Sequence, residues 1–157
     1  MNAQAVEDLN ALLKGELSAV ETYSQALEKV ENERIASVFS DCLASHKTRV
    51  EKLQNAITEY GGTPESETGI WGSWSKILAG GAAALGDKAS IAALEEEEDQ
   101  HSSDYEWRLV NMHGEHRNLV KEELLPEQQT IRSRLSALLN DANDGAWPPT
   151  PEPMKEI

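Results

Sequence analysis

Apolar residues recur every three or four positions along four long stretches of the chain, and strict two-residue alternation is almost absent. That period marks amphipathic α-helices. The stretches run roughly from Val6 to Glu31, Glu33 to Tyr60, Lys88 to Met112 and Glu115 to Leu139. Two short joints, "VENER" and "HGEH", link them in pairs, and short joints make antiparallel neighbours. Gly61, Gly62 and Pro64 end the second helix. Between the pairs, residues 61–87 predict a long crossover with a short helix from Trp71 to Leu85. The pattern thus predicts an all-α four-helix bundle over residues 1–141. Residues 142–157 hold four prolines and predict a flexible tail.

At about 100° per residue, each helix shows which side it buries. In the first, Leu9, Leu13, Val20, Tyr23 and Leu27 set the apolar stripe, and Glu16 falls in its middle. Glu21 lies near the outer edge. In the second, Ile35, Phe39, Cys42, Val50, Leu53 and Ile57 set the stripe, with His46 central and Arg49 beside it. In the third, Ile91, Leu94, Tyr105, Leu109 and Met112 do so, with Glu98 central and Glu95 and His101 on the flanks. Glu96 and Glu97 point outward, so the run "LEEEEDQH" divides between surface and interior. In the fourth, Val120, Leu124, Ile131, Leu135 and Leu138 set the stripe, with Glu127 on it and Glu123 and Arg134 near it. Pro126 lacks the N–H a helix needs and is expected to bend the chain.

Heights along the bundle agree. Glu16 and His46 lie at similar distances from the first joint, and His101 and Glu127 from the second. At 1.5 Å per residue each is about 20 Å from its joint. With the joints at opposite ends, Glu16, His46, Glu98, His101 and Glu127 share one layer near mid-bundle. The two pairs also repeat faintly: an offset of 82 positions lays Leu9 on Ile91, Leu12 on Leu94, Glu16 on Glu98, Tyr23 on Tyr105, Leu27 on Leu109 and Val30 on Met112.

Charge narrows the partners. Of 157 residues, 28 are acidic and 14 basic, a net charge of −14. That opposes nucleic acid, whose affinity comes from neutralising phosphates, and opposes an anionic membrane surface. The longest weakly polar run, "ILAGGAAALG", is too short to span a bilayer, and "MNAQAVEDLN" lacks the regions of a signal peptide. Cys42 is the sole cysteine, which forbids an internal disulfide and suits a reducing cytoplasm. One turn from His46 it invites a thiol reading, but its apolar stripe favours an inert, buried Cys. Trp107 falls on the outward face of the third helix; packing under Trp71 and Trp74 of the crossover is the simpler expectation, a second copy or a protein partner the other. His113 and His116 sit near the second joint and are expected at a solvated helix end.

The segments "LLKGELSAVETYSQALEKV", "YGGTPE" and "GDKASIAALEEEEDQHSSDYEWRL", with the inward His46, resemble a bacterial ferritin-like four-helix-bundle family catalogued as a domain of unknown function. The resemblance spans about Leu9 to Leu139. It implies a ferritin-like bundle with its crossover between the second and third helices, and no established activity. The wider superfamily often holds two metal ions through one Glu on each of two helices and Glu-x-x-His on each of the others. Glu16 and Glu98 match the first two roles. Leu43 stands where the second helix would need Glu, and Glu127-x-x-Thr130 replaces Glu-x-x-His in the fourth. This incomplete pattern argues against a di-iron oxidase or ferroxidase.

Two functions from different classes are open. Glu16, His46, Glu98, His101 and Glu127 could hold one divalent metal, with zinc, iron or manganese suited to mixed carboxylate and imidazole donors. Alternatively these groups satisfy one another in a non-catalytic structural or interaction bundle, such as a stress-linked accessory. In that case Arg49 serves Glu16, Arg134 serves Glu98, and Tyr23 and Tyr105 donate their hydroxyls.

Overall fold

The computed structural model describes residues 2–68, 71–79 and 86–143. Its elements are α1 (Ala3–Lys29), α2 (Glu33–Glu59), a short α3 (Gly72–Ala79), α4 (Gly86–Asn111), α5 (His116–Leu119), a π-helical turn (Val120–Leu124) and α6 (Leu125–Asn143). The last three form one continuous rod, so four long helices and one short one make an all-α bundle. No strand occurs among the described residues. The long helices agree with the hydrophobic periodicity to within a few residues. The expected helix from Trp71 to Leu85 is realised as α3; residues 80–85 lie outside the described residues, as do residues 144–157 of the expected tail.

Local chemistry sets the helix ends. The Asn2 side chain accepts from the Ala5 N–H at the start of α1, and Asn32 accepts from Arg34 and Ile35 at the start of α2. Each satisfies a donor that the first helical turn leaves open. At the end of α2, Gly61 takes φ +82°, a left-handed conformation natural to glycine, and the Gly62 N–H closes back on the Ile57 carbonyl.

α1 packs along α2, and α4 along α6. The crossover joins opposite ends of the bundle. It leaves α2 where Asn10 of α1 donates to the Thr63 carbonyl. The next long helix begins at the opposite end, where Ile91 shares a core cluster with Ala26, Ile35 and Leu138. The two joints therefore lie at opposite ends, as the heights require.

The apolar core is split in two. One cluster holds Ala19, Tyr23, Phe39, Cys42, Leu94, Ile131 and Leu135 together with Trp71 and Trp74. The other holds Leu9, Leu13, Leu53, Tyr105, Met112, Val120 and Leu125. Each long helix passes from one cluster to the other at a polar residue: Glu16 in α1, His46 and Arg49 in α2, Glu98 and His101 in α4, Gln128 in α6. All six are buried.

The π turn determines which residue of α6 joins them. The Leu125 N–H reaches the Val120 carbonyl, five residues back, so this turn holds one residue more than an α-helical turn. It lies just before Pro126, whose ring would meet the carbonyl four residues earlier in a regular helix. The extra residue rotates the rest of the helix by about one 100° step. Gln128 thereby turns inward. Glu127, expected on the stripe, is only half-buried and pairs with Lys52 at 2.9 Å.

Candidate functional site

Two carboxylates, one from α1 and one from α4, face each other across the middle of the bundle. Glu16 Oε2 lies 2.6 Å from His46 Nδ1, and Glu98 Oε1 lies 2.7 Å from His46 Nε2. A carboxylate only accepts, so an imidazole with one proton would turn a lone pair toward one of them. His46 is therefore an imidazolium that donates to both. Burial alone would push its proton off, but Glu98 and Glu16 outweigh burial and hold its pKa above the ordinary 6.5.

The remaining oxygen positions are also filled. Glu16 Oε1 accepts from the Tyr105 hydroxyl at 2.6 Å, from His101 Nε2 at 2.9 Å and from Arg49 Nη1 at 3.0 Å. Glu98 Oε1 accepts from the Tyr23 hydroxyl at 2.7 Å, and Oε2 from Gln128 Nε2 at 2.6 Å. The Gln128 carbonyl in turn accepts from Arg49. Burial favours the neutral form of Glu16, but Arg49, His46 and His101 overcome it and hold the carboxyl well below the usual range. The same contest against burial, won by His46 with His101 and Tyr23, keeps Glu98 ionised. Two carboxylates thus balance one imidazolium and one guanidinium.

Burial, then the adjacent carboxylate, drives the hydroxyl pKa of Tyr23 and Tyr105 far up, so both stay neutral donors. Burial and Glu98 push the Cys42 thiol up to about 12, which agrees with an inert core cysteine. Trp71 closes the layer from the crossover. Its ring lies 5.8 Å from those of both His46 and His101 and 6.0 Å from that of Tyr23, and its backbone N–H donates to Thr22 Oγ1. Gly15 leaves room for His101: a methyl group there would fall 2.7 Å from His101 Cε1.

Of the five residues expected in one layer, Glu16, His46, Glu98 and His101 converge and Glu127 does not. Arg49 and both tyrosines take the roles expected of them. Arg134 does not reach Glu98: it sits on an exposed position and binds Asp41 at 2.6 Å. Periodicity alone misses Gln128, although the repeat points to it. It lies 82 positions after His46, as Glu98 lies after Glu16 and Tyr105 after Tyr23. The same offset places Leu125 on Leu43, so the second helix of each hairpin carries Leu three residues before its inward polar group.

Two surface expectations also change. Trp107 is 63% exposed, and the crossover tryptophans are buried elsewhere, against His46, His101 and the first core cluster. His116 is buried rather than solvated: its Nε2 bonds Asp8 at 2.9 Å and its ring meets Tyr60 edge to face. His113 is exposed as expected.

Among the described residues, Glu16, His46 and His101 are a group whose ligand atoms all lie within 4.8 Å of one another, a spacing that suits a single metal ion in number of donors. No helix among the described residues is long and apolar enough to cross a membrane. No curated protein and no solved structure matches the chain. A family model does match residues 4–109, which include α1, α2, the crossover and most of α4. By that match the chain belongs to the DUF2383 family, a domain of unknown function.

Proposed function

We propose that this chain is a ferritin-like four-helix scaffold whose mid-bundle layer is a self-satisfied structural network, not a catalytic centre. The observation that carries the reading is the charge balance of the layer: His46 and Arg49 neutralise Glu16 and Glu98, and each of the four carboxylate oxygens has a donor. Such a network fixes register. A slip of either hairpin would leave buried charge without a partner, which costs several kcal/mol (about 3–5 for one broken pair). Residues 1–141 are read as the bundle, which α6 extends to Asn143. The net charge of −14 supports a protein that avoids nucleic acid, and the single cysteine supports a reducing cytoplasm. Exposed Trp107 and Val110 support contact with a second copy or a protein partner.

The paired-metal chemistry of ferritin-like proteins does not fit these residues. Glu16 and Glu98 supply the two single carboxylates, but Leu43 and Leu125 stand where further carboxylates are needed and Gln128 stands where a second imidazole is needed. The second reading, one divalent ion on Glu16, His46 and His101, is favoured by their close ligand atoms. Against it, both His46 nitrogens face carboxylates, and Arg49 lies 3.0 Å from Glu16 Oε1 and 3.1 Å from His46 Nδ1.

Metal analysis of untagged protein, with thermal melts in chelator and in added zinc, iron or manganese, separates the two. The scaffold reading expects no stoichiometric metal and an unchanged melt. One ion per chain, with a melt lowered by chelator, would establish the metal reading instead.

A further inference from the structure

Arg49 is buried in the middle of the layer, with one guanidinium nitrogen on Glu16 Oε1 at 3.0 Å and the other 3.1 Å from His46 Nδ1. Those two atoms belong to two of the three residues whose donors lie close enough to share a metal ion. The guanidinium thus lies against both residues that a bridging cation would engage. We propose that Arg49 is the resident cation of this layer, and that it keeps a latent divalent-metal site on Glu16, His46 and His101 closed.

The charge count supports the geometry. With Arg49 in place, a buried guanidinium already sets a positive charge against Glu16. A divalent ion entering beside it would crowd a second cation into a buried site, which is costly. With Arg49 replaced by a neutral side chain, Glu16 loses that cation. A divalent ion then takes its place. Two imidazoles and a carboxylate suit zinc or cobalt. The pseudo-repeat shows what the second hairpin lacks: His46 and Arg49 of α2 correspond to Gln128 and Ile131 of α6, so α6 carries no counterpart of Arg49. Gly15 completes the latent site, since the absent methyl is what lets His101 reach Glu16.

This inference rests on the charge-balanced reading above, and its test separates the two. Wild type and the variants Arg49→Leu, Arg49→Gln and Arg49→Lys are titrated with cobalt and with zinc. Visible absorption of bound cobalt, binding heat and helix content are the readouts. The expected result is one ion per chain in both neutral variants, at least about tenfold tighter than in wild type or Arg49→Lys. Adding His101→Ala to Arg49→Leu should abolish the cobalt bands. If wild type also binds, but tenfold more weakly than the neutral variants, the metal-free scaffold fails and the role of Arg49 stands. If helical neutral variants bind no better than wild type, the role of Arg49 is overturned. Should Arg49→Leu not fold alone, Arg49→Gln carries the comparison. Two neutral variants that stay unfolded even with metal would also overturn it, because the restored charge balance should rescue them.

Discussion

The hydroxyl of Tyr23 on α1 donates to Glu98 on α4 at 2.7 Å, across 75 residues of sequence. The converse pair closes the exchange: Tyr105 of α4 donates to Glu16 of α1 at 2.6 Å. Each helix lends a hydroxyl to the other's carboxylate, and His46 of α2 ties the two carboxylates together. The layer is therefore an interlock between hairpins.

The exchange predicts that Tyr23→Phe and Tyr105→Phe behave alike. Each removes one buried hydrogen bond to a carboxylate without changing ring volume. The expected loss is about 1.5–3 kcal/mol apiece. Urea unfolding of the two variants measures it; a negligible loss in either would show that its hydroxyl bond contributes nothing to the interlock.

Gly15 should behave unlike other helix-interior glycines. Gly→Ala inside a helix is usually favourable by about 1 kcal/mol. Here the new methyl would meet His101 Cε1 at 2.7 Å and push the ring from Glu16. Gly15→Ala is therefore expected to destabilise wild type, yet to stabilise a His101→Ala background by about 1 kcal/mol. A stabilising effect in both backgrounds would mean that His101 is not seated against Gly15.

The π turn makes neighbouring residues unequal. Gln128→Ala strips a donor from Glu98 and an acceptor from Arg49, and should cost about 1–3 kcal/mol. Glu127→Gln weakens only a half-exposed pair with Lys52 and should cost less than about 1 kcal/mol. Equal effects in chemical denaturation would place the helix in the register of a plain α-helix.

Much of this arrangement is legible in the sequence because burial follows helical period. Glu16, His46 and Glu98 sit where Leu or Ile would continue each stripe, and their convergence follows from equal distances to the joints. The Tyr exchange is foreshadowed by the repeat. Straight α-helical counting misplaces Glu127 because it ignores the π turn, whose cue is Pro126 and whose width the sequence does not display. Gln128 is neither charged nor a usual metal ligand, so only the repeat, extended past α4, singles it out. Arg134 depends on which rotamer finds a partner, and Asp41 at the surface is reached without burying a charge. The exposure of Trp107 depends on the path of the crossover, which no periodicity encodes.

Stability should be greatest in mildly acidic solution. Glu16 and Glu98 are held below their ordinary 4.5, so their contribution is present above that value and lost as pH falls through the folded values. His46 is held above 6.5, so its contribution is full below 6.5 and lost as pH rises through its folded value. Denaturation midpoints should therefore fall on both sides of the window from 4.5 to 6.5. His46→Gln should flatten the alkaline limb. Wild-type stability that keeps rising above 6.5 would contradict the raised His46 value.

The whole layer turns on the protonation of His46, and nitrogen-15 NMR of the imidazole reads it directly. The long-range proton–nitrogen spectrum at neutral pH should show both His46 nitrogens in the protonated, imidazolium range, and they should stay there after chelator treatment. A neutral ring with one bare nitrogen at that pH would contradict the bridge between Glu16 and Glu98, and with it the charge balance on which the scaffold reading stands.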